Sequence, residues 1–215
     1  FFNLDEFFGL APSDPLSFNH FLHHHFLDHV KHDPKNECLL RGDVPDLEAL
    51  ASEVEARIRE AGGIDLQVLG IGGNGHVGFN EPGSSLGSRT RPKALEPGPL
   101  ADYSTGPDLP RFAITMGVGT IMEARHLLML ASGERKAAIV SRMVEGPVTS
   151  EVPASALQMH PRATVVLDEA AASKLQRADY YGLAYCENRF RVGQVHHRIG
   201  LAPEWYLGAY VKYLH

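Results

Sequence analysis

Cysteine is scarce in this chain: Cys38 and Cys186 are the only two among 215 residues. Their separation has no metal-type spacing and offers no disulfide framework. That excludes a small stapled secreted scaffold and fits a reducing compartment. Positive charge is also thin, with 20 basic against 26 acidic residues and a formal charge of −6. No basic run occurs, so general nucleic-acid binding is excluded by charge. No apolar stretch approaches the ~20 residues that a membrane helix needs. Nothing near the start reads as a secretory signal, so the expected location is cytoplasmic, with no nucleic acid and no membrane as partner. An initiator methionine is missing too. Phe1-Phe2-Asn3-Leu4 reads as a strand already under way, and a truncated start is expected.

What is present suits a globular domain. Hydrophobic residues make up 44% and charged residues 21%, and this length buries a core without staples. Residues 1–4 read as a strand ending at Asp5-Glu6. Residues 17–30 read as a helix, with Phe18, Phe21, Leu22, Phe26 and Val30 at helical spacing. Asp46 is a candidate cap for a helix with Leu47, Leu50, Ala51, Val54 and Ile58 on one face, stopped by Gly62-Gly63. Residues 64–70 read as a strand running into a glycine-rich turn. Residues 82–110, rich in Pro, Gly and Ser, read as one long loop. Strands then follow at 111–116, 126–131 and 163–167. They alternate with helices at 118–124, after Gly133, and after Asp168. The alternation predicts an α/β fold, doubly wound on a mostly parallel sheet with helices on both faces. Ligands in such sheets bind at the carboxyl ends of strands.

Asp5, at an expected strand end, is either a capping carboxylate or a general base. The turn Gly70-Ile71-Gly72-Gly73-Asn74-Gly75-His76 lacks both the dinucleotide fingerprint and the Lys-Ser/Thr of a nucleotide loop. Alone it is either a phosphate loop or a tight turn. His76 and Glu81 are placed to meet across the segment that follows. The carboxylate either fixes the imidazole tautomer for acid/base work or only stiffens the loop. Lys136, in the first turn of a helix, is an anion site or a surface lysine. Arg89, Arg91 and Lys93 are a solvated cluster or a phosphate site. His20, His23, His24, His25, His29 and His32 include i,i+4 pairs that suit zinc. No third ligand completes them, which favours a solvated helix face.

Several of these motifs, taken together and in order, resemble the glucosamine-6-phosphate deaminase family. They are Phe2-Asn3-Leu4-Asp5-Glu6, the run Gly70 to Ser84 with His76-Val77-Gly78-Phe79-Asn80-Glu81-Pro82, Ser88-Arg89-Thr90-Arg91, Ala113 to Thr120, Ala131-Ser132-Gly133-Glu134-Arg135-Lys136, and Ser155 to Pro161. The resemblance covers about residues 1–181. It implies a Rossmann-like fold of sugar-phosphate isomerase type that turns glucosamine 6-phosphate and water into fructose 6-phosphate and ammonia, with no metal or redox cofactor. It implies His76 for ring opening, Glu81 and Asn74 to orient it, and Asp5 to move the proton between C2 and C1. Lys136 would hold the phosphate, with Gly73 and Gly75 in the substrate loop. A homo-oligomer is left open. Family members carry further strand–helix units with a phosphate loop before these motifs, so an inactive remnant is an alternative reading. The related 6-phosphogluconolactonases lack a glutamate like Glu81. Residues 182–215 form a separate, short helical appendage in this reading. Arg191 to Tyr210 is similar to the haem-proximal segment of globin-coupled sensors, which implies His196 as a haem ligand only within a complete globin.

Overall fold

The structure, a computed structural model, describes residues 1–95, 110–181 and 212–214. Its centre is a four-stranded sheet in the order β2-β5-β6-β7. Strands β2 (Leu66–Gly70), β5 (His126–Ala131) and β6 (Ala163–Leu167) run parallel. Alternation along them sends Leu69, Leu127, Met129, Val165 and Leu167 into the core. There they meet Ala51, Val54 and Ile58 of α2 (Leu47–Glu60), Ile121 of α3 (Val118–Met122), and Ile139, Val140 and Met143 of α4 (Ala137–Glu145). The opposite face carries Leu66, Val68 and Leu130, which the described residues leave exposed. The expectation of helices on both faces is therefore met on one face among the described residues.

Two expected helix starts follow from side-chain caps. Asp46 accepts a hydrogen bond from the Ala49 amide at 2.9 Å and opens α2. That helix ends as its sequence dictates: Gly62 and Gly63 take positive φ, and the Gly63 amide returns to the Ile58 carbonyl at 2.8 Å. Asp168 accepts from the Ala171 amide at 2.7 Å and opens α5 (Glu169–Ala172). The same carboxylate accepts from the Gly133 amide at 2.9 Å, tying down the turn that leads into α4.

A second, antiparallel sheet in the order β1-β4-β3 corrects two expectations. Residues 1–4 are not a strand; β1 is Asp5–Phe7, and Asp5 opens it opposite Thr115 of β4 (Phe112–Thr115). The backbone before it is satisfied one bond at a time. Phe1 O accepts from the Cys38 amide, Leu4 O accepts from the Met116 amide, and Asn3 Oδ1 accepts from the Leu40 amide. The stretch 82–110 is not all loop, because β3 (Arg91–Ala94) pairs with β4. Its alternating charges and Pro92 hid it, and an edge position is where a strand tolerates both. The expected helix over 17–30 is α1 (Phe18–His25), then a break at Phe26 and a 3-10 turn over Leu27–His29. Its inward residues are Asn19 and Leu27, while Phe21 and Phe26 face solvent. The helical reading of the tail falls on residues 182–211, outside the described residues. Beyond them, β7 (Lys212–Leu214) pairs antiparallel with β6.

Candidate active site

A cleft of about 300 Å³ opens where β2 ends and β1 begins. Asp5, His76 and Lys136 line it together, with Phe18 and Leu4 as apolar wall. A larger hollow, about 560 Å³, lies between α1, the 34–44 segment and α2, and none of the expected catalytic residues lines it. Chemistry, not size, picks the site.

The glycine-rich turn positions His76. Gly75 has φ +96°, and a side chain there would strike Val152 and Ile139. Its amide closes the turn on the Gly72 carbonyl at 3.0 Å. The imidazole lies so close over Gly72 that any Cβ there would overlap the ring. Gly78, at φ +54°, lets the loop pass against Thr115, and a Cβ there would sit 3.2 Å from Asp5 Oδ2. Gly72 and Gly78 line the cleft, whereas Gly73 and Gly75 are not among its lining residues. Gly72, Gly78, Thr115 and Phe18 were not singled out from sequence. A glycine's partner is a spatial neighbour, which spacing does not reveal.

Asn74 sits between the histidine and the glutamate. Its amide nitrogen donates to Glu81 Oε2 at 2.6 Å. Its Oδ1 therefore faces the histidine and accepts from Nδ1 at 2.8 Å and from the His76 backbone amide at 3.1 Å. A carboxylate can only accept, so this chain of bonds places the proton on Nδ1. Glu81 Oε1 lies 3.3 Å from the same nitrogen. Burial alone would push the Glu81 carboxyl up, but hydrogen bonding by His76 and Asn74 outweighs it and holds the group below its usual range. Asn80 fastens the loop from beneath, donating to Val77 O at 2.9 Å and Met116 O at 2.7 Å.

Asp5 is the perturbed group of the site. Its carboxyl is pushed up to about 7, first by burial and then by the neighbouring Glu6 charge. Lys136 reaches the cleft from the turn between Gly133 and α4, at the amino end of that helix. None of Arg89, Arg91 and Lys93 lines the cleft, although the Lys93 charge acts on the Glu81 carboxyl. Arg89 pairs with Glu55 and Glu123. Arg91 is half-buried, and burial lowers its guanidinium from the usual range. Among the described residues no group of three or more His, Cys, Asp or Glu is arranged to hold a metal. In the histidine-rich segment, His23 and His32 both contact Glu37. His196 falls outside the described residues.

This geometry accompanies a clear kinship. The family model described as glucosamine-6-phosphate isomerases/6-phosphogluconolactonase matches residues 1–166. The chain belongs to that family. It is 50% identical over 185 residues to glucosamine-6-phosphate deaminase 2 of Bacillus subtilis, spanning 83% of this chain and 74% of the relative. It is also 50% identical over 184 residues to a glucosamine-6-phosphate deaminase of Hahella chejuensis, spanning 84% and 70%. Among solved structures, a monomeric glucosamine-6-phosphate deaminase superposes with a TM-score of 0.77 at 39% identity, covering 80% of this chain and 73% of its own. A 6-phosphogluconolactonase from Trypanosoma brucei gives 0.57 at 20% identity, which speaks to the fold alone. A second family model, described as Protoglobin, matches residues 172–215. No described helix is long and apolar enough to cross a membrane.

Proposed function

We propose that this chain is a glucosamine-6-phosphate deaminase acting by aldose–ketose isomerisation. The observation that carries the reading is one cleft holding three chemically distinct groups: a carboxyl near 7, an oriented histidine and a lysine. The named relatives set the substrate class.

His76 moves a proton at the ring oxygen and opens the sugar, with Nδ1 held by Asn74 and backed by the Glu81 charge. Asp5, ionised, takes the proton from C2 while the C1 carbonyl oxygen takes one up, which gives an enolamine. With the first proton returned at C1 and one lost from the amine nitrogen, a ketimine stands at C2. Water adds to C2 and ammonia departs, giving fructose 6-phosphate. C1 is reduced and C2 oxidised by the same internal proton transfer, so the atoms balance with one water and no cofactor is called for. A base with a carboxyl near 7 suits this step, since it is basic enough to remove a carbon-bound proton yet ionised near neutrality. Lys136 anchors the phosphate away from the reacting carbons, so binding strength is not spent on the reacting centre. Glu81 argues against the lactonase branch, whose members usually carry a Ser-Leu-Phe-Pro type stretch where this chain has Phe79-Asn80-Glu81-Pro82.

Ammonia release from glucosamine 6-phosphate, measured by a coupled assay, tests the reading. Release that Asp5→Asn abolishes supports it. No release from a folded sample, or hydrolysis of 6-phosphogluconolactone instead, overturns it.

The Protoglobin match carries a second, separate reading for the tail, with His196 as haem ligand. A haem pocket needs helices on both faces of the ring, which residues 182–215 are too few to supply alone. A Soret band on adding haem, lost in His196→Ala, would support it. Its absence leaves the tail as an appendage of the sheet edge at β6 and β7.

A further inference from the structure

We infer that Glu6 is a positioning residue for Asp5: a fully buried carboxylate that ties β1 to the first turn of α1 and fixes a negative charge beside the base. The inference rests on the deaminase reading for its role, but not for its test.

Successive residues of a strand point to opposite faces. Asp5 turns into the cleft, and Glu6 turns away from it, with 0% exposure. Glu6 therefore touches no substrate. Its two oxygens collect five donors. Oε2 accepts from Ser17 Oγ at 2.6 Å, from the Asn19 amide at 2.9 Å and from Asn19 Nδ2 at 2.7 Å. Oε1 accepts from the Phe7 amide at 2.8 Å and from the Phe18 amide at 3.2 Å. No cation is among them. A carboxylate set against donors only, at a helix start, is held firmly in place. A structural tie alone could be made by an uncharged acceptor. Burying an unpaired charge is costly, which suggests the charge itself has a use.

Two consequences reach the cleft. Phe18, the wall opposite Asp5, follows directly from the turn that Glu6 clamps. The Asp5 backbone is held on its other side by Asn3 Nδ2, which donates to Asp5 O at 3.0 Å. The charge on Glu6 also opposes ionisation of Asp5, second only to burial. The other titratable groups around Asp5 are His76 and Lys136 across the cleft. Along its sheet row stand Thr115 of β4 and then Arg91 of β3. Glu6 is the near negative group in this set.

The test is a carbon-13 titration of the aspartate carboxyls in the substrate-free protein, with Asp5→Asn assigning the resonance. The parent should titrate near 7. Glu6→Gln should lower that midpoint by about one pH unit, without bringing it to the ordinary aspartate value, because burial persists. Where the chain releases ammonia, the acid limb of its kcat/KM profile should shift by the same amount. Glu6→Asp and Ser17→Ala keep the charge and weaken the tie. Each should lower kcat several-fold with KM and the Asp5 midpoint unchanged, and these two decide the matter should Glu6→Gln fail to fold. An unmoved midpoint in Glu6→Gln, or a uniform loss in the charged variants that follows their unfolding, overturns the inference. Because the titration uses no substrate, a chain that releases no ammonia overturns the deaminase reading alone.

Discussion

Glu81 Oε1 stands 3.3 Å from His76 Nδ1, while Asn74 bridges the same two side chains. The histidine is thus held by a neutral acceptor and faced by a charge. Replacing His76 with Ala should lower kcat by about 10²- to 10⁴-fold, the usual worth of a positioned acid/base group. Glu81→Gln keeps the shape and removes the charge. It should cost a smaller part of that loss and shift the pH profile, since the imidazolium formed during ring opening loses its stabilising neighbour. Steady-state kinetics over pH 5–9 would separate the two. Equal losses with unchanged profiles would assign Glu81 a purely mechanical part.

Asp5→Asn should abolish activity and yet raise stability at neutral pH. The sign follows from linkage. The folded carboxyl lies at about 7 against an ordinary aspartate value of 3.8. Protonated Asp5 costs the fold nothing, but the ionised form is disfavoured by burial and by Glu6. The penalty therefore grows as pH rises from about 4 and is complete above about 7, reaching at most ~4 kcal/mol. Chemical denaturation at pH 8 should show the variant more stable than its parent, with the gap closing toward pH 4. A less stable variant at pH 8 would mean that the carboxylate is stabilised by contacts other than those described.

Much of this was readable from sequence. Short apolar runs at 126–131 and 163–167 gave the parallel strands, and Asp46 and Asp168 cap the helices they precede. Local chemistry decides such elements. The antiparallel sheet was not readable, because Arg91-Pro92-Lys93-Ala94 has no apolar alternation to announce a strand and owes its pairing to β4. For the same reason Asp5 was placed at a strand's end when it opens one. At the site, the meeting of His76 with Glu81 followed from a short loop. The service of Gly72 and Gly78 depends on which atoms approach them, and that of Glu6 depends on α1, whose first turn supplies its partners.

Lys136→Met should raise KM for glucosamine 6-phosphate at least tenfold with a modest effect on kcat. In the proposed reading the lysine binds the phosphate, and the proton transfer is assigned to Asp5. The loss should shrink for a substrate without its phosphate, and inorganic phosphate should inhibit the parent more than the variant. A fall in kcat with KM unchanged would move Lys136 from binding to chemistry. The variant should fold normally, because the turn that presents it is held by Asp168 on the Gly133 amide rather than by the lysine head group.

Glu55 is the structural counterpart of the site, and its removal should destabilise the fold far more than loss of the outer partner of Arg89. Glu55 is nearly buried on α2 and accepts from Thr90 Oγ1 at 2.6 Å, the Thr90 amide at 2.9 Å and Thr120 Oγ1 at 2.5 Å. Arg89 Nη2 adds an ion pair at 2.5 Å. One carboxylate therefore joins α2, the segment leading to β3, and α3. Burial would push this carboxyl up, but the hydrogen bonds of Thr120 and Thr90 and those of Arg89 bring it down to about 2. A depressed carboxyl stabilises the fold above its unfolded pKa of about 4.5 and loses that contribution as pH falls toward 2. The shift corresponds to about 3 kcal/mol at neutral pH, and Glu55→Ala should cost at least that, because Arg89 and two hydroxyls lose their partner together. Glu123, 66% exposed, pairs with the same arginine in solvent. Glu123→Ala should therefore cost under ~1 kcal/mol. Urea unfolding at pH 7 and pH 3 would resolve the pair: the two variants should differ widely at pH 7, and the gap should narrow at pH 3 as part of the Glu55 contribution is lost. Similar losses at pH 7 would show that the strength of the joint lies in Arg89 rather than in the buried carboxylate.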